Sequence, residues 1–163
     1  MIKSDAPVPS KLRPGSATPP DEECDCRTPG PIVLQPHLTS NPLVCLACHG
    51  EIAPERLAFD AALAVQVAQW QQFHDAFYAL WLDSGEFEDW ARKELEDLDS
   101  VVNRRGRSLV AKLNAVHKSY YWVFRDSGHD AYQRATGCPT CSGVLDRSTS
   151  WPACDRCLLV IAD

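Results

Sequence analysis

Eight cysteines in 163 residues fall into four close pairs: Cys24-x-Cys26, Cys45-x-x-Cys48, Cys138-x-x-Cys141 and Cys154-x-x-Cys157. Thiols one or two residues apart can reach one ion from a single tight turn, so in a reducing compartment such pairs point to metal ligation rather than disulfides. Twelve residues separate Cys141 from Cys154. That is zinc-ribbon spacing: each knuckle supplies two thiolates, a hairpin brings the knuckles face to face, and zinc accepts a tetrahedron of four sulfurs at about 2.3 Å. Pro139 stiffens the first knuckle, and Gly143 is placed to turn the backbone so that amides point at the sulfurs. A thioredoxin-like use of Cys138-Pro-Thr-Cys141 needs that motif to open a helix in a βαβ unit, and neither is legible.

Cys24 and Cys26, followed after eighteen residues by Cys45 and Cys48, form a second candidate site. Its competitor is a set of unligated thiols, a liability if exposed, and His49 is a possible substitute ligand. Cys45-Leu-Ala-Cys48-His49 also fits covalent haem attachment. That use needs export and a distal ligand, yet the only methionine is Met1 and the opening MIKSDAPVPS has no apolar signal stretch. His49-Gly-Glu51 resembles the first half of a deaminase signature, but neither downstream Cys-x-x-Cys follows a proline. Four thiolates would also leave no open position for a catalytic water. The expectation is two structural Zn2+ ions held by all eight cysteines.

The remaining residues carry no legible catalytic machinery. His37, His117 and His129 show no ligand or triad spacing, and His74 falls on an apolar helical stripe, as a partnered core histidine would. Phosphate loops, nucleophile elbows and paired metalloprotease histidines are missing from the sequence. The chain is therefore expected not to be an enzyme.

Charge is uneven. The net charge is −6, against the basic footprint of a conventional nucleic-acid binder, and becomes −10 once eight thiolates and two zinc ions are counted. Residues 58–103 hold ten acidic and two basic side chains, whereas residues 104–163 hold nine basic and five acidic. Asp83, Glu86, Glu88, Asp89, Glu94, Asp97 and Asp99 make the acidic block, a candidate face for a basic partner protein. Arg104, Arg105, Arg107, Arg147 and Arg156, with the aromatic run Tyr120 to Phe124, make the alternative, a nucleic-acid surface. An ordinary solvated helix with cations near its C-terminus explains the same charges more plainly.

The elements that must position these groups follow from periodicity. Nine of twelve prolines lie in the first 42 residues, so residues 1–23 are expected to be a disordered tail. Residues 24–57 form the N-terminal zinc module, with a strand at Ile32-Val33-Leu34. In the helical segment 58–118, Leu63, Val67, Trp70, Phe77 and Trp81 recur at helical spacing up to Asp83-Ser84-Gly85. A second helix is expected from about Glu86, with Phe87, Ala91, Leu95, Leu98 and Val102 on one face, and a third from about Arg107. Residues 119–163 hold an aromatic strand Tyr120–Phe124 and the ribbon, with strands near Val144-Leu145 and Leu158–Ile161. Residues 24–163 are expected to pack as one α+β unit around Trp70, Trp81, Trp90 and Trp122. No apolar run is long enough to span a membrane, and the expected location is cytoplasmic.

Several stretches together resemble a bacterial family of zinc-ribbon proteins described in general terms as candidate nucleic-acid binders. They are Cys24-x-Cys26, NPLVCLACHGEIAPERL, DSGEFEDWARKELEDLDSVVNRRGRSL, YYWVFR and CPTCSG…CDRCLLV. The resemblance implies one zinc site from the first four cysteines and a ribbon from the last four, and it supplies no reaction. The chain departs from the pattern in its proline-rich opening and in Ser142, where ribbons often place glycine. The best-supported function is a non-enzymatic zinc protein acting as an acidic interaction module, such as an inhibitor or immunity-type protein for a nuclease.

Overall fold

The computed structural model describes residues 18–36, 41–58 and 60–161. The proline-rich residues 1–17 and His37 lie outside them. The described residues form five short strands, β1 (Ile32–Leu34), β2 (Leu43–Cys45), β3 (Ser119–Val123), β4 (Ala153–Cys154) and β5 (Leu159–Ile161), and three helices, α1 (Ala61–Asp83), α2 (Glu88–Glu96) and α3 (Val101–Leu113). The class is α+β.

One sheet of order β2-β1-β3-β5-β4 draws on both ends of the chain. β1 and β5 both run parallel to β3, with Leu34 beside Tyr121 and Tyr121 beside Leu159. β2 and β4 close the edges as antiparallel partners of β1 and β5. Glu23 adds a parallel bridge to Glu51, so the expected tail is paired at its last residue.

Alternation along the strands divides the sheet residues between two buried clusters. Ile32, Leu34, Tyr121, Val123, Leu159 and Ile161 pack with Val67 and Trp70 of α1 and with Leu109, Val110 and Leu113 of α3. Val33, Val44, Tyr120, Ala153 and Val160 face the other way and pack with Leu46, Trp122 and Trp151. A flat five-stranded sheet would set its edge strands about 19 Å apart. Instead the loops after β2 and before β4 meet: His49 stacks on Trp151 with ring centroids 4.1 Å apart. Of the expected tryptophan core, Trp70 is deeply buried, while Trp90 is 47% exposed and only leans on Phe77.

The Asp60 carboxylate caps α1 by accepting from the Leu63 amide at 2.8 Å. The second and third helices divide earlier than their apolar rhythm suggests. Asp97 closes α2, and Ser100 caps α3 by accepting from the Asn103 amide. The Asn103 side chain then donates to the carbonyls of Glu94, Leu95 and Asp97 at 3.2, 2.8 and 2.7 Å. Tyr121 donates its hydroxyl to Asn103 Oδ1 at 2.5 Å, so this buried plug ties both helices to the sheet. The expected strand near Val144-Leu145 does not form. Val144 is 95% exposed, and only Asp146 bridges to Ala153.

Candidate metal centres

The eight cysteines assemble into two groups, Cys24, Cys26, Cys45 and Cys48, and Cys138, Cys141, Cys154 and Cys157. In each group the four sulfurs lie within 4.8 Å of one another. A tetrahedron with metal–sulfur bonds of 2.3 Å requires sulfurs about 3.8 Å apart, and Cys141 Sγ lies 3.7 Å from Cys154 Sγ. That separation is far too long for a disulfide, and all eight thiols are free. Each group is therefore able to hold one metal ion, and four thiolates are a donor set that zinc takes in structural sites.

The backbone builds the knuckles by a shared device. His49, Ser142 and Leu158, the described non-glycine residues with positive φ, each follow the second cysteine of a Cys-x-x-Cys pair, at 63°, 56° and 54°. This left-handed turn folds the chain back, so the Ser142 and His49 amides donate to the carbonyls of Cys138 and Cys45, both at 2.8 Å. The expected pivot was Gly143, but the pivot is Ser142. Gly143 serves proximity instead, since a Cβ there would stand 3.2 Å from Cys141 Sγ. His49 is not a ligand, because its ring stacks on Trp151 and bonds Ser150 Oγ.

The first site needs Cys24 and Cys26 brought to the β2 knuckle across a long stretch of chain. The Cys24 amide donates to Glu51 O and the Glu51 amide to Glu22 O, both at 2.8 Å. The Arg56 guanidinium donates to the carbonyls of Cys24 and Cys26. Neither Arg56 nor the positive-φ residues stand out in the sequence as site builders, although a lone arginine eight residues past a knuckle was a signal.

Electrostatics differ among the sulfurs. Burial opposes ionisation of Cys45, but amides of Cys48, Ala47 and Gly30 outweigh it and bring its pKa down to about 7. The Gly30 N–H lies 3.3 Å from that sulfur. The Gly143 amide, followed by neighbouring thiols, likewise brings Cys141 to about 7. Cys26 rises to about 12 chiefly through its contact with Cys48, and Cys157 rises to about 12 through burial and its thiol neighbours. In each group one thiol ionises readily while another holds its proton, the behaviour of acidic groups sharing one small volume. A divalent cation stabilises all four thiolates together.

The acidic residues separate into two places. Asp83, Glu86, Glu88 and Asp89 are exposed where α1 meets α2, beside Phe87 and Trp90, which are 49% and 47% exposed. Asp97 and Asp99 lie in the α2–α3 turn, where Asp97 Oδ1 accepts from the Asp99 amide, and Glu94 is half-buried. Four of the five arginines are directed onto their own chain. Arg104 and Arg107 donate to the carbonyls of Asp99 and Leu98, Arg105 covers the Phe73 ring, and Arg147 reaches Ala135 O. Arg156 is exposed in the last knuckle. Tyr120, Tyr121 and Phe124 are buried in the core, so the aromatic strand presents no stacking platform.

His117 bonds Gly30 O at 2.9 Å, and His129 Nδ1 accepts from the Ala131 amide. His74 is buried as expected, but its Nδ1 has no hydrogen-bond partner. No described helix is long and apolar enough to cross a membrane. Comparison with protein-family models, curated proteins and solved structures returns no match.

Proposed function

We propose that this chain is a non-enzymatic, zinc-stabilised interaction module whose acidic corner receives a basic protein, in the manner of an inhibitor or immunity-type protein for a nuclease. The observation that carries this is the α1–α2 corner, where the exposed Phe87 and Trp90 rings stand among Asp83, Glu86, Glu88 and Asp89. Aromatic anchors supply much of the energy at protein interfaces, and surrounding carboxylates select a basic partner and speed its approach. A reducing cytoplasmic setting, where thiolates persist, belongs to the same proposal. So does kinship with bacterial zinc-ribbon proteins, which rests on the two four-cysteine groups. Burial of Tyr120, Tyr121 and Phe124 weighs against nucleic acid as the partner.

The test is affinity capture from the native host at moderate salt, comparing wild type with Trp90→Ala and with the double change Glu86→Lys, Asp89→Lys. A basic protein retained by wild type and lost at least tenfold from both variants supports the proposal. Identical profiles from all three proteins, or retention of nucleic acid alone, would sink it.

A further inference from the structure

A cavity of about 490 Å³ lies between one face of α1 and the carboxyl ends of the parallel strands β1 and β3. His74, Tyr78 and Leu82 stand on α1 at successive turns, with Asp75 beside them, facing Gln35 just after β1 and Trp122 near the end of β3. In open α/β sheets the carboxyl ends of parallel strands are where ligands bind. Three polar atoms of these lining residues are buried without a hydrogen-bond partner: Gln35 Oε1, His74 Nδ1 and Trp122 Nε1. They come from three different elements, and each such atom costs about 1–3 kcal/mol when left unpaired. Their convergence on one cavity calls for an occupant.

The chemistry of the walls limits what that occupant can be. Trp122 offers only a donor, the Gln35 amide offers an acceptor and a donor, and a neutral imidazole offers one of each. Burial holds His74 at a pKa of about 4, so the ring is neutral near pH 7. Tyr78, Leu82 and the Trp122 ring supply flat apolar walls. Water alone suits such walls poorly, and the volume far exceeds what single waters bridging three atoms need. The carboxyl of Asp75 lines the space and no lysine or arginine does, which disfavours an anion.

We propose that this cavity binds a planar, uncharged nitrogen heterocycle with a donor and an acceptor on one edge, of the nucleobase or nucleoside class. The heterocycle accepts from Trp122 Nε1, donates to Gln35 or His74, and packs its face on Tyr78. Phosphorylated forms are repelled by Asp75. This site does not depend on the acidic-corner reading.

The test uses the zinc-loaded full chain labelled with 15N, titrated to millimolar concentration with adenosine, cytidine, uridine and nicotinamide, and with the matching nucleoside monophosphates. The Trp122 indole N–H resonance, identified by its loss in Trp122→Phe, should shift saturably with at least one uncharged probe. Affinity should fall about tenfold or more in Gln35→Leu and in Trp122→Phe, each with two zincs retained. The monophosphate should bind at least several-fold more weakly than its nucleoside. If Trp122→Phe loses zinc, Gln35→Leu and Tyr78→Leu carry the comparison. No saturable shift with any probe, unchanged affinity in Gln35→Leu, or a crystal structure with ordered waters bonding all three atoms would overturn the proposal.

Discussion

Gly50 is the tightest point of the first metal site. A Cβ there would lie 2.6 Å from Cys24 N, 2.7 Å from Cys24 Cα and 2.8 Å from Glu23 C, all main-chain atoms that cannot rotate away. Ordinary contact begins near 3.5 Å, so Gly50→Ala must push the Cys24 strand back by about 0.8 Å. That movement stretches the Cys24 N–H bond to Glu51 O, 2.8 Å long, and withdraws two of four ligands from the β2 knuckle. Overpacking against backbone costs about 2–3 kcal/mol, which lowers metal affinity at this site about 30- to 100-fold. The ribbon site, built from residues beyond Gly137, is untouched. Titrating zinc-loaded protein with a competing chelator and a metal-sensitive dye should show two coincident releases in wild type and one early release in Gly50→Ala. Wild-type chelator resistance in the variant would refute the docking of Cys24 against Gly50. Equal weakening of both sites would refute their independence.

Gly106 in α3 invites a different error, because alanine is the better helix former by about 1 kcal/mol. Its Cβ would lie 2.2 Å from Tyr121 Cε2 and 2.8 Å from Trp70 Nε1, so Gly106→Ala should instead lower Tm by about 5 °C in a thermal melt. Cys141→Ser and Cys157→Ser each remove a ribbon ligand, and structural zinc contributes about 10 kcal/mol or more, comparable with a whole domain's stability. Both variants should lose soluble expression, and soluble protein holding two zincs would count against a structural role. His74 ionises near pH 6.5 when unfolded but only at about 4 when folded. As pH falls from 6.5 towards 4 the unfolded chain takes up the proton first, so stability is lost across that window, by on the order of 3 kcal/mol at its lower end. Urea melts at pH 7 and 4.5 should show a smaller loss for His74→Leu than for wild type. The difference between the two isolates His74 from Asp75, whose pKa is raised by burial and shifts stability the other way.

The metal groups were legible because ligand spacing is local: a Cys-x-x-Cys turn is shaped by four neighbouring residues wherever the chain goes next. The α1 stripe was legible for the same reason, its apolar side chains repeating within one helix. The α2–α3 boundary was hidden because Leu95, Leu98 and Val102 keep a helical rhythm straight through the turn. Only Ser100 followed by Asn103 marked the cap, and that pair is common outside helix starts. The parallel pairing of β1 with β3, 85 residues later, leaves no local trace, since each strand reads as a short apolar run in any partnership. Gly106 hid among arginines, where charge drew attention away from the missing side chain. The buried unpaired atoms of Gln35, His74 and Trp122 depend on three elements meeting, which no single segment records.

The two metal sites explain how a sheet of strands two to five residues long persists. Strands that short contribute few ladder bonds, and edge strands are the first to fray. Here each edge strand carries a ligand: Cys45 ends β2 and Cys154 ends β4. A metal in each group fixes the outer strand to a knuckle from a distant part of the chain, so both edges are tied. The His49–Trp151 stack then joins the loops beside the two knuckles over one face of the sheet. Loss of either metal frees an edge strand and one partner of that stack, so the sites should protect each other against unfolding even though their ligands are separate. Four thiolates around each ion leave no open position for substrate or water. Chemistry at the metal is thereby closed off, and recognition falls to the helical side, where α1 borders both the exposed aromatic corner and the cavity under His74.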